Sequence, residues 1–223
     1  MKRFFVFICF LFGLIYSSYS QEVESNKPDY DRIKEAIQDS SSIFFYPQLM
    51  ARFELSDPTL TEEEYKHLYY GYLFQEDYKP FRISPEEKEM EKYYNKVILS
   101  KKDYDKIIQL ATSALSKYPF DLRQMNFLAY VYHLKGDETL AMQTANKLNA
   151  IREVILSSGN GQTCETAYHV ISINDEYDIL KFFQLEIKSR GAKAGCDYFS
   201  LKKKSDIYFD ISQFFATGFK VKK

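Results

Sequence analysis

The chain has 223 residues, of which 45% are hydrophobic, and its 30 Lys and Arg nearly balance its 31 Asp and Glu. The formal net charge of −1 lacks the clustered basic excess that nucleic-acid binding requires, so we expect no nucleic-acid partner. The length and the hydrophobic content predict a globular protein of one or two modest domains.

Residues 1–20 have the features of a signal peptide. Lys2 and Arg3 precede an apolar run over residues 4–15, and small residues precede a cleavage site after Ser20. The apolar run is shorter than the roughly 17–25 residues that span a bilayer. We therefore expect a periplasmic or secreted protein with no stable membrane span after cleavage. A single-pass anchor is the alternative.

Two cysteines, Cys164 and Cys196, remain after cleavage at that site. In an oxidising compartment an even pair of cysteines is a candidate disulfide. Each lies near a glycine, Gly161 or Gly195, where a chain reversal could bring the two together. Two buried free thiols are the alternative, and the sequence does not decide between them.

The first part of the mature chain has helical periodicity. An apolar stripe over residues 30–37 predicts one helix, and a second short helix is expected after Pro47. Thr61 then opens a helix with Glu64 three residues on, the spacing of a capping box. Apolar and aromatic residues recur at helical spacing over residues 65–73, which predicts a buried helix face.

A period of 34 residues follows. Ile107 and Ala141 are separated by this distance, as are Ala111 and Ala145, and about 34 residues is the length of a tetratricopeptide-type (TPR-like) helix–turn–helix unit. We interpret the segment as two degenerate TPR-like repeats. The predicted helices cover residues 85–100, 103–117, 121–134 and 137–155.

The period changes after a Ser- and Gly-rich loop at residues 157–161. Alternating apolar residues predict three or four short strands with one inserted helix and a terminal helix. The strands are expected at 169–173, 185–187, 198–201 and 207–211, and the helices at 175–183 and 214–219. The predicted fold is α+β: a helical region, residues 21–157, with two TPR-like repeats packed on a small antiparallel sheet within residues 158–223.

Several short motifs together resemble one known family. They lie at residues 46–47, 57–61, 69–72, 165–167 and 175–177. On these motifs the chain is similar to a secreted Bacteroidota family catalogued as domain of unknown function number forty-nine nineteen. The resemblance covers nearly the whole mature chain and implies a Gram-negative envelope setting. It implies no activity, cofactor or catalytic residue.

The sequence contains no convincing catalytic or metal-binding constellation. Cys164 and His169 are close in sequence, but residues five apart on one strand point to opposite faces. His67, His133 and His169 lie in separate elements without metal-ligand spacing. The clustered acids that could form a carboxylate pair, Glu62–Glu64, Glu86, Glu87 and Glu89, fall in first turns of helices, where they favour the positive end of the dipole. We therefore expect a non-catalytic protein without metal or cofactor.

The first helix of each repeat would line a groove. Long cations and an amide among aromatic surface could hold a peptide or another envelope protein by charge-assisted hydrogen bonds. A solvated helix face is the simpler interpretation. The groove-facing residues are Lys92, Lys96, Arg123, Asn126, Tyr130 and, one turn further, His133.

The alternative function is a secreted glycan-binding protein or hydrolase. Tyr70 and His67 fall off the buried stripe of their helix and are expected to be exposed together. The segment from Gly161 to His169 is the second location considered for such a site. A component of a surface assembly with no exchangeable ligand is a further alternative.

Overall fold

The computed structural model describes residues 27–193 and 195–216, so the predicted signal peptide and Phe219 lie outside the described residues. The helices and strands in chain order are α1 (Tyr30–Gln38), α2 (Tyr46–Glu54), α3 (Glu62–Gly71), a 3-10 turn (Tyr72–Phe74), α4 (Glu87–Tyr94), α5 (Lys101–Lys117), α6 (Leu122–Lys135), α7 (Glu138–Ser157), β1 (Tyr168–His169), α8 (Ile173–Phe182), β2 (Ile187–Lys193), β3 (Cys196–Leu201), β4 (Ile207–Asp210) and α9 (Ser212–Ala216).

Helix starts agree with the caps in the sequence. The Thr61 side chain accepts from the Glu64 N–H and the Glu64 side chain accepts from the Thr61 N–H, so the predicted capping box is confirmed at α3. Asp121 and Asp137 accept from backbone N–H groups at the starts of α6 and α7. Gly136 ends α6 with a φ of 86°, a conformation that glycine adopts without strain.

Helix α4 is shorter than predicted. It ends at Tyr94 rather than at residue 100, and Asn95 is its C-cap. Val97 and Ile98 beyond it are exposed and have no apolar surface to pack on. Ser100 instead caps α5, which begins at Lys101, two residues earlier than expected. The assignment of α4 to α7 to TPR-like repeats stays a prediction.

The C-terminal region forms a mixed four-stranded sheet in the order β1-β4-β3-β2. The β2–β3 and β3–β4 pairs are antiparallel, whereas β1 runs parallel to β4. The first strand is only two residues long because Ser172 caps α8, which begins at Ile173. The α+β class is thus confirmed, with a parallel edge strand that the alternating pattern did not indicate.

One hydrophobic core spans both regions of the chain. Leu68 of α3 and Val154 of α7 belong to the same buried cluster as Ile171, which precedes α8, and Phe209 of β4. A second cluster, which includes Met90, joins α4, α5 and α6. The sheet therefore packs on the helical region and closes its core.

Cys164 and Cys196 form a disulfide, with their Cα atoms 5.8 Å apart. The bond connects the loop before β1 to the first residue of β3. Gly195, immediately before that cysteine, has a φ of 85° and makes the reversal between β2 and β3. The disulfide alternative of the sequence analysis is confirmed. In the part of the chain that the structure describes, no helix is both long and apolar enough to cross a membrane.

Candidate binding groove

A large groove, here called the main groove, separates the N-terminal helices from α5, α6 and α7. Its volume is about 1070 Å³. The C-terminal half of α2 and the segment 72–77 form one wall, and the three long helices form the other. A groove of this size exceeds what a small ligand needs and is sufficient for several side chains of an extended segment.

The lining of the main groove combines apolar and aromatic side chains with polar ones. Phe53 and Tyr72 contribute rings from the first wall, and Met125, Leu128 and Tyr132 project from α6. The rings are held by neighbours in the core; the centroid of Phe53, for example, is 5.4 Å from that of Phe120. A preformed aromatic surface loses little conformational entropy when another chain packs on it.

The Tyr46 hydroxyl is a polar group without a partner in this lining. Tyr46 begins α2 and is only 8% exposed. Its hydroxyl makes no hydrogen bond to any described residue. Burial raises the pKa of Tyr46 well above its usual range, so the hydroxyl is protonated and able to donate. The hydroxyl oxygen is itself buried from solvent, so it marks an unpaired polar group behind the lining rather than a donor presented to the groove.

The rim of the main groove carries charge of both signs. Glu76 and Asp77 form no ion pair with any described residue. The cations opposite are already engaged. Lys117 pairs with Glu86, and the Lys147 ammonium lies 4.8 Å from the ring centroid of Phe53. The unpaired charge at the rim is therefore acidic.

The six residues predicted to bind a partner lie on a different surface. None of them lines the main groove. Lys96, which follows the end of α4, pairs with Asp103 at 2.5 Å, and the Arg123 guanidinium pairs with Glu87 at 2.6 Å. His133 lies 2.8 Å from Glu138.

The other three, Lys92, Asn126 and Tyr130, are exposed. The Lys92 ammonium lies 4.9 Å from the ring centroid of Tyr93. The structure thus gives three of the six predicted residues an acidic partner within the chain. Their role in binding stays a prediction.

The expectation that Tyr70 and His67 are exposed is wrong. Tyr70 is 0% exposed, because α1 and α7 both pack against α3 and bury more than one of its faces. The Tyr70 hydroxyl lies 3.3 Å from the carbonyl oxygens of Val154 and His169. His67 is 4% exposed, and its ring stacks on Phe44 with centroids 3.8 Å apart. A stacking platform for sugars cannot include the Tyr70 ring.

The segment from Gly161 to His169 contains no nucleophile–base pair. Cys164 is oxidised in the disulfide and therefore has no thiolate. His169 is buried, and its Nδ1 is hydrogen-bonded to the Tyr30 hydroxyl at 2.9 Å. Burial lowers the pKa of His169 to about 4, so its ring is neutral at physiological pH.

Sequence reasoning missed a set of buried carboxyl groups on α8. Asp175 and Glu176 are both 0% exposed. Burial raises the pKa of Asp175 well above its usual range, that of Glu176 to about 9 and that of Asp178 to about 7. Strongly shifted groups often mark functional sites. Here none of the three lines the main groove, and Tyr69 closes over Asp175.

Carboxyl groups are also potential ligands of a metal ion. Among the described residues, no group of three or more His, Cys, Asp or Glu side chains is arranged to hold a metal ion. Arg190 contacts Glu176 at 3.3 Å and also pairs with Asp197, which gives Glu176 a protein partner instead. Asp175 and Glu176 are therefore best described as parts of the core, and Asp178 is half-buried beside them.

Comparison with known proteins assigns the family. The chain has no significant match among curated proteins or among solved structures. A family model described as "Domain of unknown function (DUF4919)" matches residues 31–218, which include all of the described helices and strands except Tyr30, the first residue of α1. The chain belongs to this family.

Proposed function

We propose that the protein is an exported, non-catalytic binding protein of the Gram-negative envelope, whose main groove holds an extended segment of another protein. The observation that carries the proposal is the main groove, with its aromatic lining and unpaired acidic rim. The disulfide supports export, since disulfides persist in oxidising compartments such as the periplasm. On this proposal, residues 1–20 are removed and the mature chain begins at Gln21.

The chemistry of the main groove defines its partner. Apolar side chains of the bound segment would pack on Phe53, Tyr72 and Tyr132. A Lys or Arg of the partner would pair with Glu76 and Asp77, which have no cation of their own. Such charge complementarity selects the partner and orients it. The proposed occupant is therefore a basic, apolar segment rather than an acidic one.

The test begins with selection of peptides from a random library on the mature protein. Binding of the selected peptides is then measured by fluorescence anisotropy. We expect them to combine aromatic or aliphatic residues with Lys or Arg. The rim variant Glu76→Lys/Asp77→Lys should weaken their binding about tenfold or more, since a hydrogen bond to a charged group contributes roughly 1.5–3 kcal/mol.

Two matched variants serve as controls. Glu35→Lys/Glu91→Lys makes the same change of charge at exposed positions outside the main groove and should leave the affinity unchanged. Lys92→Ala/Lys96→Ala/Arg123→Ala tests the surface that the sequence favoured. Peptides that bind the rim variant as well as the wild type would overturn the main-groove proposal. Loss of binding only in the triple variant Lys92→Ala/Lys96→Ala/Arg123→Ala would show that the peptide binds near α4 and α6 instead.

A further inference from the structure

A second cavity lies on the other side of α3, between α1 and the segment before α2. Its volume is about 420 Å³, within the range of small-molecule sites. Its floor is apolar and consists of Ile33, Ala36 and Phe44. We call it the cationic cavity because of the charged residues that surround this floor.

Three cations line the cationic cavity, Lys27, Arg32 and Lys66, against the carboxylates of Asp29 and Glu63. Both carboxylates are engaged in local structure. The Asp29 side chain caps α1 by accepting from the Arg32 N–H at 3.1 Å. Glu63 lies 3.8 Å from the Lys66 ammonium. The excess charge is positive.

The side chains of Lys27 and Arg32 carry this excess. Neither forms an ion pair or a side-chain hydrogen bond with any residue in the described ranges, although both line the same cavity. Two cations that share a concave site repel each other unless an anion lies between them. Their arrangement favours an anionic ligand.

His67 supplies a second polar group beside the apolar floor. Its Nδ1–H donates to the Glu63 carbonyl oxygen at 2.8 Å, and its ring stacks on Phe44. Burial lowers the pKa of His67 below its usual value, which keeps the ring neutral. Since Nδ1 carries the proton in that hydrogen bond, Nε2 is unprotonated and can only accept a hydrogen bond, so it does not bind the carboxylate itself.

We propose that the cationic cavity binds a small organic carboxylate, with the carboxylate on Arg32 and Lys27 and the carbon skeleton on Phe44 and Ile33. The planar guanidinium of Arg32 matches the two oxygens of a carboxylate. The apolar floor excludes a bare inorganic anion as the best fit, because such an anion would leave that surface unused. This site is separate from the main groove, and its test does not depend on a protein partner.

Nuclear magnetic resonance of the histidine side chains of the mature protein tests the proposal. Benzoate and glucuronate are the two probes, and they distinguish an aromatic acid from a sugar acid as the source of the carboxylate. We expect saturable shifts of the His67 resonances with at least one probe. The pKa of His67 should rise on binding, because an anion beside the ring favours its protonated form. His133, which lies outside the cavity lining, acts as the internal reference in the same spectra, whereas His169 is influenced by the charge of Lys27.

The uncharged partners of the probes, benzyl alcohol and glucose, should bind at least about tenfold more weakly, since a charge-assisted hydrogen bond is about twice as strong as a neutral one. Arg32→Gln should weaken the binding of the carboxylate probe by a similar factor, and Lys27→Gln should weaken it by less. Lys203→Gln, in the exposed turn between β3 and β4, should change nothing.

Three results would overturn the assignment: no saturable shift of His67 with either probe, equal affinity for the alcohol and the acid, or unchanged affinity in Arg32→Gln. Arg32 is exposed, so its replacement leaves the fold intact and each of these results can be interpreted. The rim variant of the main groove, Glu76→Lys/Asp77→Lys, should bind the carboxylate probes with the same affinity as the wild type. The proposals for the two sites can therefore be refuted independently.

Discussion

Tyr69 connects α3 to the start of α8 through two hydrogen bonds inside the core. Its hydroxyl donates to Asp175 Oδ2 at 2.7 Å and accepts from the Ile171 N–H at 3.2 Å. Both Tyr69 and Asp175 are 0% exposed. Burial raises the pKa of Asp175 well above its usual range, so the core favours the neutral form of this carboxyl group.

Tyr69→Phe tests how much this contact contributes to the stability of the folded protein. The change removes one hydroxyl and leaves two buried polar groups without a partner, so we expect a loss of about 1–3 kcal/mol in the free energy of unfolding. Chemical denaturation of the mature protein measures it. Tyr130→Phe removes the hydroxyl of an exposed ring and should alter stability by less than about 0.5 kcal/mol. Equal effects of the two changes would show that the buried contact contributes nothing.

At the scale of single residues, the sequence predicted apolar burial better than polar burial. Asp175 lies four residues before Ile179, so the two share a helix face, and Ile179 is buried. That spacing was a signal that Asp175 enters the core, but acidic residues near a helix start are usually solvated caps. The partner that makes its burial tolerable, Tyr69, is distant in the chain. No local pattern reveals it.

At the scale of elements, the disulfide fixes how the sheet begins. Cys164 lies in the loop before β1, and Cys196 is the first residue of β3. The β1 strand is two residues long and pairs only with β4. Such a short edge strand has few hydrogen bonds of its own, so the covalent connection restrains the loop that precedes it.

Cys164→Ser/Cys196→Ser should lower the free energy of unfolding by about 3–4 kcal/mol, as the chain-entropy model gives for a loop of this length. The separation of the cysteines is 32 residues. Thermal unfolding with and without a reductant measures the effect. The reductant should lower the melting temperature of the wild type to that of the double variant and leave the variant unaffected. A wild type insensitive to reduction would contradict this expectation.

Element starts could be predicted because their signals are local. Thr61 and Asp121 each cap a helix with a side chain that bonds to a backbone N–H three residues away. The end of α4 and the parallel pairing of β1 were not predicted. The end of α4 depends on whether Val97 has an apolar surface to pack on. The pairing of β1 depends on where β4 lies in the folded sheet. Both are decided by tertiary contacts.

At the scale of the whole molecule, the carboxyl groups of α8 make stability depend on pH. Burial raises the pKa of Glu176 to about 9 and that of Asp178 to about 7, whereas both would ionise near pH 4 in the unfolded chain. Between those values the folded protein binds more protons than the unfolded chain. Its stability therefore decreases as the pH rises through this range. The buried histidines act oppositely, but only below about pH 6.5.

We therefore expect the melting temperature to fall between pH 7 and pH 9. His67 and His169 are neutral in both states in this range, since burial lowers the pKa of each. Glu176→Gln keeps the shape of the side chain and removes its titration, so the fall should become shallower. Glu186→Gln, an exposed control, should leave the slope unchanged. A melting temperature that rises towards pH 9 would refute the assignment of protonated carboxyl groups.

The main groove was beyond sequence analysis because its walls are far apart in the chain. Tyr46, Phe53 and Tyr72 come from the N-terminal helices, whereas Met125 and Tyr132 come from α6. The 34-residue period covers α5, α6 and α7, which form only one wall of the main groove. It predicted binding residues on surfaces of α4 and α6 that lie outside this groove. A repeat pattern indicates how neighbouring helices pack, but it contains no information on what packs across them.

The core shared by both regions also has a consequence for the order of folding. Leu68 and Val154 share a cluster with Phe209 of β4, so this cluster is complete only after the last strand has been made. The cluster of α4, α5 and α6 contains no strand residue and can form earlier. A protein whose main core is completed so late is compatible with passage across a membrane before it folds.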